Sequence, residues 1–173
     1  MIAAASVAVS GAAVAAVTLA APAYAATPLF TKTFTNSSNT SLCLDAAAPN
    51  GNVGPGARVT AFSCNGGANQ KWTVVAGGTG QYVKIQNVSN PSLCLDANAS
   101  NGDVGAGANV TAWPCNIGQN QDWVFLNDGE IRNFSNGRLC LDAAAPNGGV
   151  APGANVTAWF CNGGANQEWG SAG

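Results

Sequence analysis

At 173 residues the chain suits one domain. Its 6 basic and 8 acidic side chains give a net charge of −2, and it has no His. Lys32, Arg58, Lys71, Lys84, Arg132 and Arg138 are scattered, so no basic stripe exists to neutralise phosphates, and nucleic acid is excluded as a partner. A surface with so little charge and so many Asn, Gln, Ser and Thr side chains makes neutral hydrogen bonds, which suits neutral, hydroxyl-rich ligands.

Residues 1–25 are uncharged, pass through an apolar run at 12–21 and end in Ala23-Tyr24-Ala25, the small-x-small pattern that precedes signal-peptidase cleavage. We read them as a secretory signal. Because a positively charged start is missing, a membrane anchor is the alternative. Cleavage would leave residues 26–173 in an oxidising compartment without membrane insertion, where the 6 Cys pair.

The remainder is an internal triplication. Residues 34–72, 85–123 and 131–169 align without a gap, and 23 positions are identical in all three copies. The repeats run over about 28–76, 77–126 and 127–173. Within each copy two cysteines stand 21 apart: Cys43 and Cys64, Cys94 and Cys115, Cys140 and Cys161. Only a few connectivities respect that symmetry, and pairing inside each repeat is the simplest. A loop of this length, closed by a disulfide, contributes about 3 kcal/mol in the chain-entropy model. Without His or CxxC spacing, no metal site is expected, nor any cofactor.

In chain order, each copy opens on an alternating apolar–polar strand (Phe34-x-Asn36, Ile85-x-Asn87, Ile131-x-Asn133) and a Ser-Asn turn, followed by Leu-Cys-Leu-Asp. Asn50-Gly51, Asn101-Gly102 and Asn147-Gly148 mark a loop before the next strand, Val-Thr-Ala-Phe or Val-Thr-Ala-Trp. Hairpin turns at 76–80 and 127–129 join the copies, and no helical period appears. The third copy ends soon after its Trp. We expect residues 29–33 to supply the strand it lacks, closing the repeats into a ring whose termini meet.

Three copies of Cys-Leu-Asp, then Val-Thr-Ala-aromatic-x-Cys-Asn, then Asn-Gln-x-Trp, resemble the ricin-B-type lectins, also called family 13 carbohydrate-binding modules. The resemblance covers about 28–169 and implies an all-β fold, a β-trefoil with pseudo-threefold symmetry and three disulfide-stapled repeats. By motif position it implies carbohydrate-binding sets of Asp45, Phe62 and Asn69, of Asp96, Trp113 and Asn120, and of Asp142, Trp159 and Asn166. The chemistry fits: a carboxylate and an amide hydrogen-bond vicinal hydroxyls, and a ring covers the C–H face of a sugar. It also implies that Gln70, Gln121 and Gln167 pin backbone while Trp72, Trp123 and Trp169 fill the core.

Each role has a plainer rival. The Asp residues could accept backbone N–H groups in a turn, and the aromatics could fill the core. Strand alternation puts Val59 and Ala61 on one face and Thr60 and Phe62 on the other, so an inward Val59 turns the aromatic outward. Thr60, Thr111 and Thr157 have a short reach where the family often has Gln. Together with Ala-rich loops at 46–48 and 143–145, this implies modest affinity. Asn98, Asp103, Ile117 and Gln119 set the second repeat apart, pointing to its own selectivity, and Phe62 makes the first site the weakest.

The function expected is a secreted, monomeric, non-catalytic lectin module for neutral galactose- or xylose-type glycans, meaning galactosides or xylan-type polysaccharide, with up to three sites. A small glycoside hydrolase would need two carboxylates flanking one bond, and each repeat offers one recurrent Asp. A protein-binding trefoil such as a protease inhibitor would present one loop that breaks the symmetry, and none stands out.

Overall fold

The structure, a computed structural model, describes residues 27–49, 51–77, 80–99, 103–146 and 149–171. The expected signal segment 1–25 lies outside the described residues, as do Asn50, Asn101, Gly102, Asn147 and Gly148 of the expected Asn-Gly turns. Among the described residues no helix is long and apolar enough to cross a membrane.

The first repeat contributes β1 (Pro28–Lys32), β2 (Phe34–Asn36), β3 (Asn39–Ala46), β4 (Ala57–Ser63) and β5 (Trp72–Ala76). The second contributes β6 (Val83–Asn87), β7 (Leu93–Ala97), β8 (Ala108–Pro114) and β9 (Trp123–Phe125). The third contributes β10 (Ile131–Asn133), β11 (Leu139–Ala143), β12 (Ala154–Phe160) and β13 (Trp169–Ser171). All pairings are antiparallel.

Two tiers result. A ring runs from β1 to β5, β6, β9 and β10, crosses by a bridge between Glu130 and Glu168 to the β13 end, and returns through β13 to β2, which continues β1 after one residue. Hairpins β3–β4, β7–β8 and β11–β12 form the second tier, and β4, β8 and β12 pair with one another around the pseudo-threefold axis. This is a β-trefoil. The ring closes as expected, but with different strands. The third repeat makes its own short closing strand, β13, which pairs Trp169–Ser171 with Phe34–Asn36. Residues 28–32 instead pair with β5 of the first repeat. One chain segment, β1 and β2 end to end, therefore serves both neighbours.

The core repeats with the sequence. Trp72, Trp123 and Trp169 are buried, and each indole Nε1 donates to a main-chain carbonyl, those of Leu44, Leu95 and Leu141, at 2.8–2.9 Å. A buried indole N–H therefore keeps a partner, without which its burial would be costly. Leu42 and Leu44, Leu93 and Leu95, and Leu139 and Leu141 pack with Val59, Val110 and Val156. The Leu-Cys-Leu-Asp-Ala strands are buried on both faces. Leucines fill the core side. On the other side lie the disulfides Cys43–Cys64, Cys94–Cys115 and Cys140–Cys161, which pair within repeats.

Candidate carbohydrate-binding clefts

The site strands obey the alternation read from the sequence. In β4, Val59 and Ala61 are buried while Phe62 is 45% exposed; in β8 and β12 the same pattern leaves Trp113 48% and Trp159 46% exposed. Each of these rings is a large apolar surface facing solvent, so core filling is not its role. A short 3-10 turn, which no periodicity announced, carries each Asn-Gln pair: Ala68–Gln70, Gln119–Gln121 and Ala165–Gln167. In these turns strand alternation is not what points Gln inward and Asn toward the cleft. The tight turn does it.

The turn feeds a hydrogen-bond relay. Gln70 Oε1 accepts the Asn65 N–H at 2.8 Å, and its Nε2 donates to Ser63 O at 2.9 Å and to Asp45 Oδ2 at 2.8 Å. Asn69 Nδ2 donates to Asp45 Oδ2 at 2.9 Å and to Ala46 O at 3.2 Å. The third repeat repeats this set with Gln167, Asn166 and Asp142. In the second, Gln121 holds Asp96 Oδ2 at 2.7 Å and Pro114 O at 3.0 Å, and Asn120 Nδ2 reaches Ala97 O at 3.3 Å. The Asp residues thus sit in strands and accept from side-chain amides, which is not the backbone-turn role considered above. The glutamines do more than pin backbone, because each also holds a carboxylate.

Asp45, Asp96 and Asp142 are each at most 7% exposed. Burial raises their pKa values above the ordinary 3.8, opposed in the first and third repeats by the hydrogen bonds from Gln and then Asn. At Asp96 the opposing influences are Gln121, Asn120 and the charge of Lys84.

A cleft of about 470 Å³ is lined by Asp45, Phe62 and Asn69, joined by Thr60 and Asn65. One of about 530 Å³ is lined by Asp96, Trp113 and Asn120 with Thr111, Asn116 and Asn98, and one of about 610 Å³ by Asp142, Trp159 and Asn166 with Thr157 and Asn162. These volumes fall in the range of small-ligand sites. All nine candidate residues are therefore brought together as three sets of three. Sequence reasoning passed over Asn65, Asn116 and Asn162, whose Oδ1 atoms accept the N–H of Gly67, Gly118 and Gly164 at 2.6–2.8 Å. Their signal was present as the invariant Cys-Asn. It also passed over Gly153, Gly56 and Gly107, which line the first, second and third clefts from a different repeat.

One departure from symmetry lies within the second repeat. Lys84 and Asp122 form a buried ion pair at 2.6 Å, each side chain 2% exposed, and Lys84 Nζ also lies 3.4 Å from Gly118 O. Among the described residues, Glu130 stands beside Cys140 and Cys161, but both sulfurs are tied up in their disulfide and offer no thiolate to a metal.

A trefoil with an acid, an amide and an exposed ring in each repeat defines a lectin-type, carbohydrate-binding module. The Ricin-type beta-trefoil lectin domain matches residues 81–172, and its domain-like relative matches 31–113. The chain belongs to the ricin-type β-trefoil lectin family. Among curated proteins none matches it in sequence. The structure is similar to that of the designed threefold-symmetric protein ThreeFoil, at 28% identity and a TM-score of 0.69 over 83% of this chain and 98% of that one. It is also similar to the exo-beta-1,3-galactanase 1,3Gal43A from Clostridium thermocellum (25% identity, TM-score 0.68), covering 83% of this chain and 30% of the galactanase. The earthworm R-type lectin C-half, solved in complex with GalNAc, shares the fold at 20% identity and a TM-score of 0.62, over 82% and 96% of the two chains.

Proposed function

We propose that the protein is a secreted, monomeric lectin module that binds neutral galactose- or xylose-type glycans in three shallow clefts, one per repeat. The observation that carries this reading is the threefold recurrence, in one cleft each, of a carboxylate, a side-chain amide and an outward-facing ring. Asp accepts from sugar hydroxyls, Asn donates beside it, and Phe62, Trp113 or Trp159 covers the apolar ring face. Among the described residues each cleft is lined by one carboxylate. Glycoside hydrolysis uses a pair about 5–9.5 Å apart, so the arrangement suits holding a glycan and not cleaving it. The similarity to part of a galactanase supports a polysaccharide-directed role. The three disulfides suit an extracellular setting.

A glycan array combined with pull-down on insoluble xylan and galactan tests this. Retention on either polysaccharide, with release by the matching oligosaccharide and not by salt, is the expected result. A blank array with no polysaccharide retained would overturn it.

A further inference from the structure

Each cleft borrows from both neighbouring repeats. On one side, Asn87 of the second repeat, fully buried, donates from Nδ2 to the carbonyl of Asn69 at 3.0 Å. Asn133 of the third does the same to Asn120 O at 3.1 Å, and Asn36 of the first to Asn166 O at 3.0 Å. The carbonyls held are the main-chain carbonyls of the three residues whose side-chain amides line the clefts. Each stapling Asn is itself oriented, because its Oδ1 accepts a main-chain N–H, from Ser38, Ser89 or Asn136.

On the other side stands a glycine from the preceding repeat. Gly56 N–H donates to Ala112 O, Gly107 N–H to Ala158 O and Gly153 N–H to Ala61 O, each at 2.8 Å. Each acceptor immediately precedes the cleft aromatic. All three glycines hold positive φ, at 80°, 88° and 86°, a region that disfavours a side chain. A methyl group on Gly56 would stand 3.4 Å from Trp113 Cζ3, and on Gly107 3.2 Å from Trp159 Cζ3, whereas on Gly153 it would meet nothing within 4 Å.

We propose that the sugar-binding unit is the junction of three repeats and not the repeat itself. Asn87, Asn133 and Asn36 are positioning residues for the first, second and third clefts, and Gly56 and Gly107 are walls that seat the Trp rings of the second and third. The disulfides make each repeat covalently self-contained, yet no repeat holds a complete cleft. This rests on the carbohydrate-binding reading above.

The test is site-resolved: the side-chain amide resonances of Asn69, Asn120 and Asn166 in ¹⁵N-labelled protein, followed alone and during titration with lactose and xylobiose. Asn87→Ala moves the Asn69 amide and weakens sugar at the first cleft about three- to tenfold, the contribution of one hydrogen bond, with the second and third clefts unchanged. Asn133→Ala does the same to the second cleft alone. Gly107→Ala, whose methyl would press on Trp159, weakens the third cleft, and Gly56→Ala, whose methyl would only touch Trp113, weakens the second less; neither changes the first. An unmoved Asn69 amide, equal weakening of all three clefts, or loss confined to the mutated repeat's own cleft would overturn the proposal. If Asn87→Ala does not fold, Gly56→Ala and Gly107→Ala decide the matter by the same cross-repeat pattern. Absence of any sugar-induced shift in the wild type would count against the lectin reading, and the ligand-free movement of the Asn69 amide would still decide the positioning role.

Discussion

Gln70 donates from Nε2 to Asp45 Oδ2 at 2.8 Å while its Oε1 accepts the Asn65 N–H at 2.8 Å. One buried amide therefore joins the turn before the 3-10 segment to the carboxylate in the cleft, and fold and site share a side chain. Replacing it severs both. Gln70→Leu leaves Asp45 and the Asn65 N–H short of partners, costing about 1–3 kcal/mol. It should weaken sugar binding at the first cleft while Phe62 stays in place. Urea unfolding and a lactose titration measure the two effects.

The two tryptophans of the second repeat should behave oppositely. Trp123 is fully buried with its indole bonded to Leu95 O, so Trp123→Ala should cost about 3–5 kcal/mol. Trp113 is 48% exposed, and Trp113→Ala should leave the melting temperature nearly unchanged while abolishing binding at its cleft. Thermal melts and titration of both variants check the assignment, and exchanged phenotypes would contradict it.

Acidification should move stability and binding in opposite directions. Burial raises the pKa of Asp45, Asp96, Asp122 and Asp142 above 3.8, so near and above that value the folded chain binds more protons than the unfolded chain. Stability contributed by these groups therefore rises as pH falls through their folded-state values, and the burial cost is fully present only above them. A protonated carboxyl is a poorer acceptor for hydroxyls, so sugar affinity should fall over the same window. Melting temperature and lactose affinity measured between neutral pH and 3.8 would show the divergence; a parallel decline would contradict it.

The buried Lys84–Asp122 pair is a conditional asset. Lys84→Ala strands a buried carboxylate and should cost about 3–5 kcal/mol, whereas Lys84→Met combined with Asp122→Leu should be neutral or stabilising. Urea unfolding of the single and double variants distinguishes the cases.

Much of the site was legible because the chain contains three copies of itself. Positions that stay identical while neighbours vary, such as Asp45, Asp96 and Asp142, announced their importance, and the period of two in Val-Thr-Ala-Phe gave the outward ring correctly. What identity cannot supply is the partner. Asn36, Asn87 and Asn133 are as invariant as the Asp residues, but the Asn36 staple reaches across 130 residues to Asn166, a contact only ring closure creates. Closure itself was anticipated while β13 was not, because three residues ending Trp-Gly-Ser are too short to carry a periodic signal. The 3-10 turns escaped for the same reason. Lys84 and Asp122 occur in one repeat alone, so symmetry gave no warning of them.

The claim that three clefts share the binding is tested most directly by calorimetric stoichiometry with lactose and xylobiose, run on the wild type, Asp45→Ala, Asp96→Ala, Asp142→Ala and the triple variant. A shallow cleft with one carboxylate, one amide and one ring should hold monosaccharide-sized ligand near the millimolar range, about −4 kcal/mol. Each single variant should lose one site, and the folded triple variant should lose all binding. Polysaccharide, engaging several clefts at once, should bind the wild type on the order of 10² more tightly than a single unit. A folded triple variant that retains polysaccharide as well as the wild type would contradict the account.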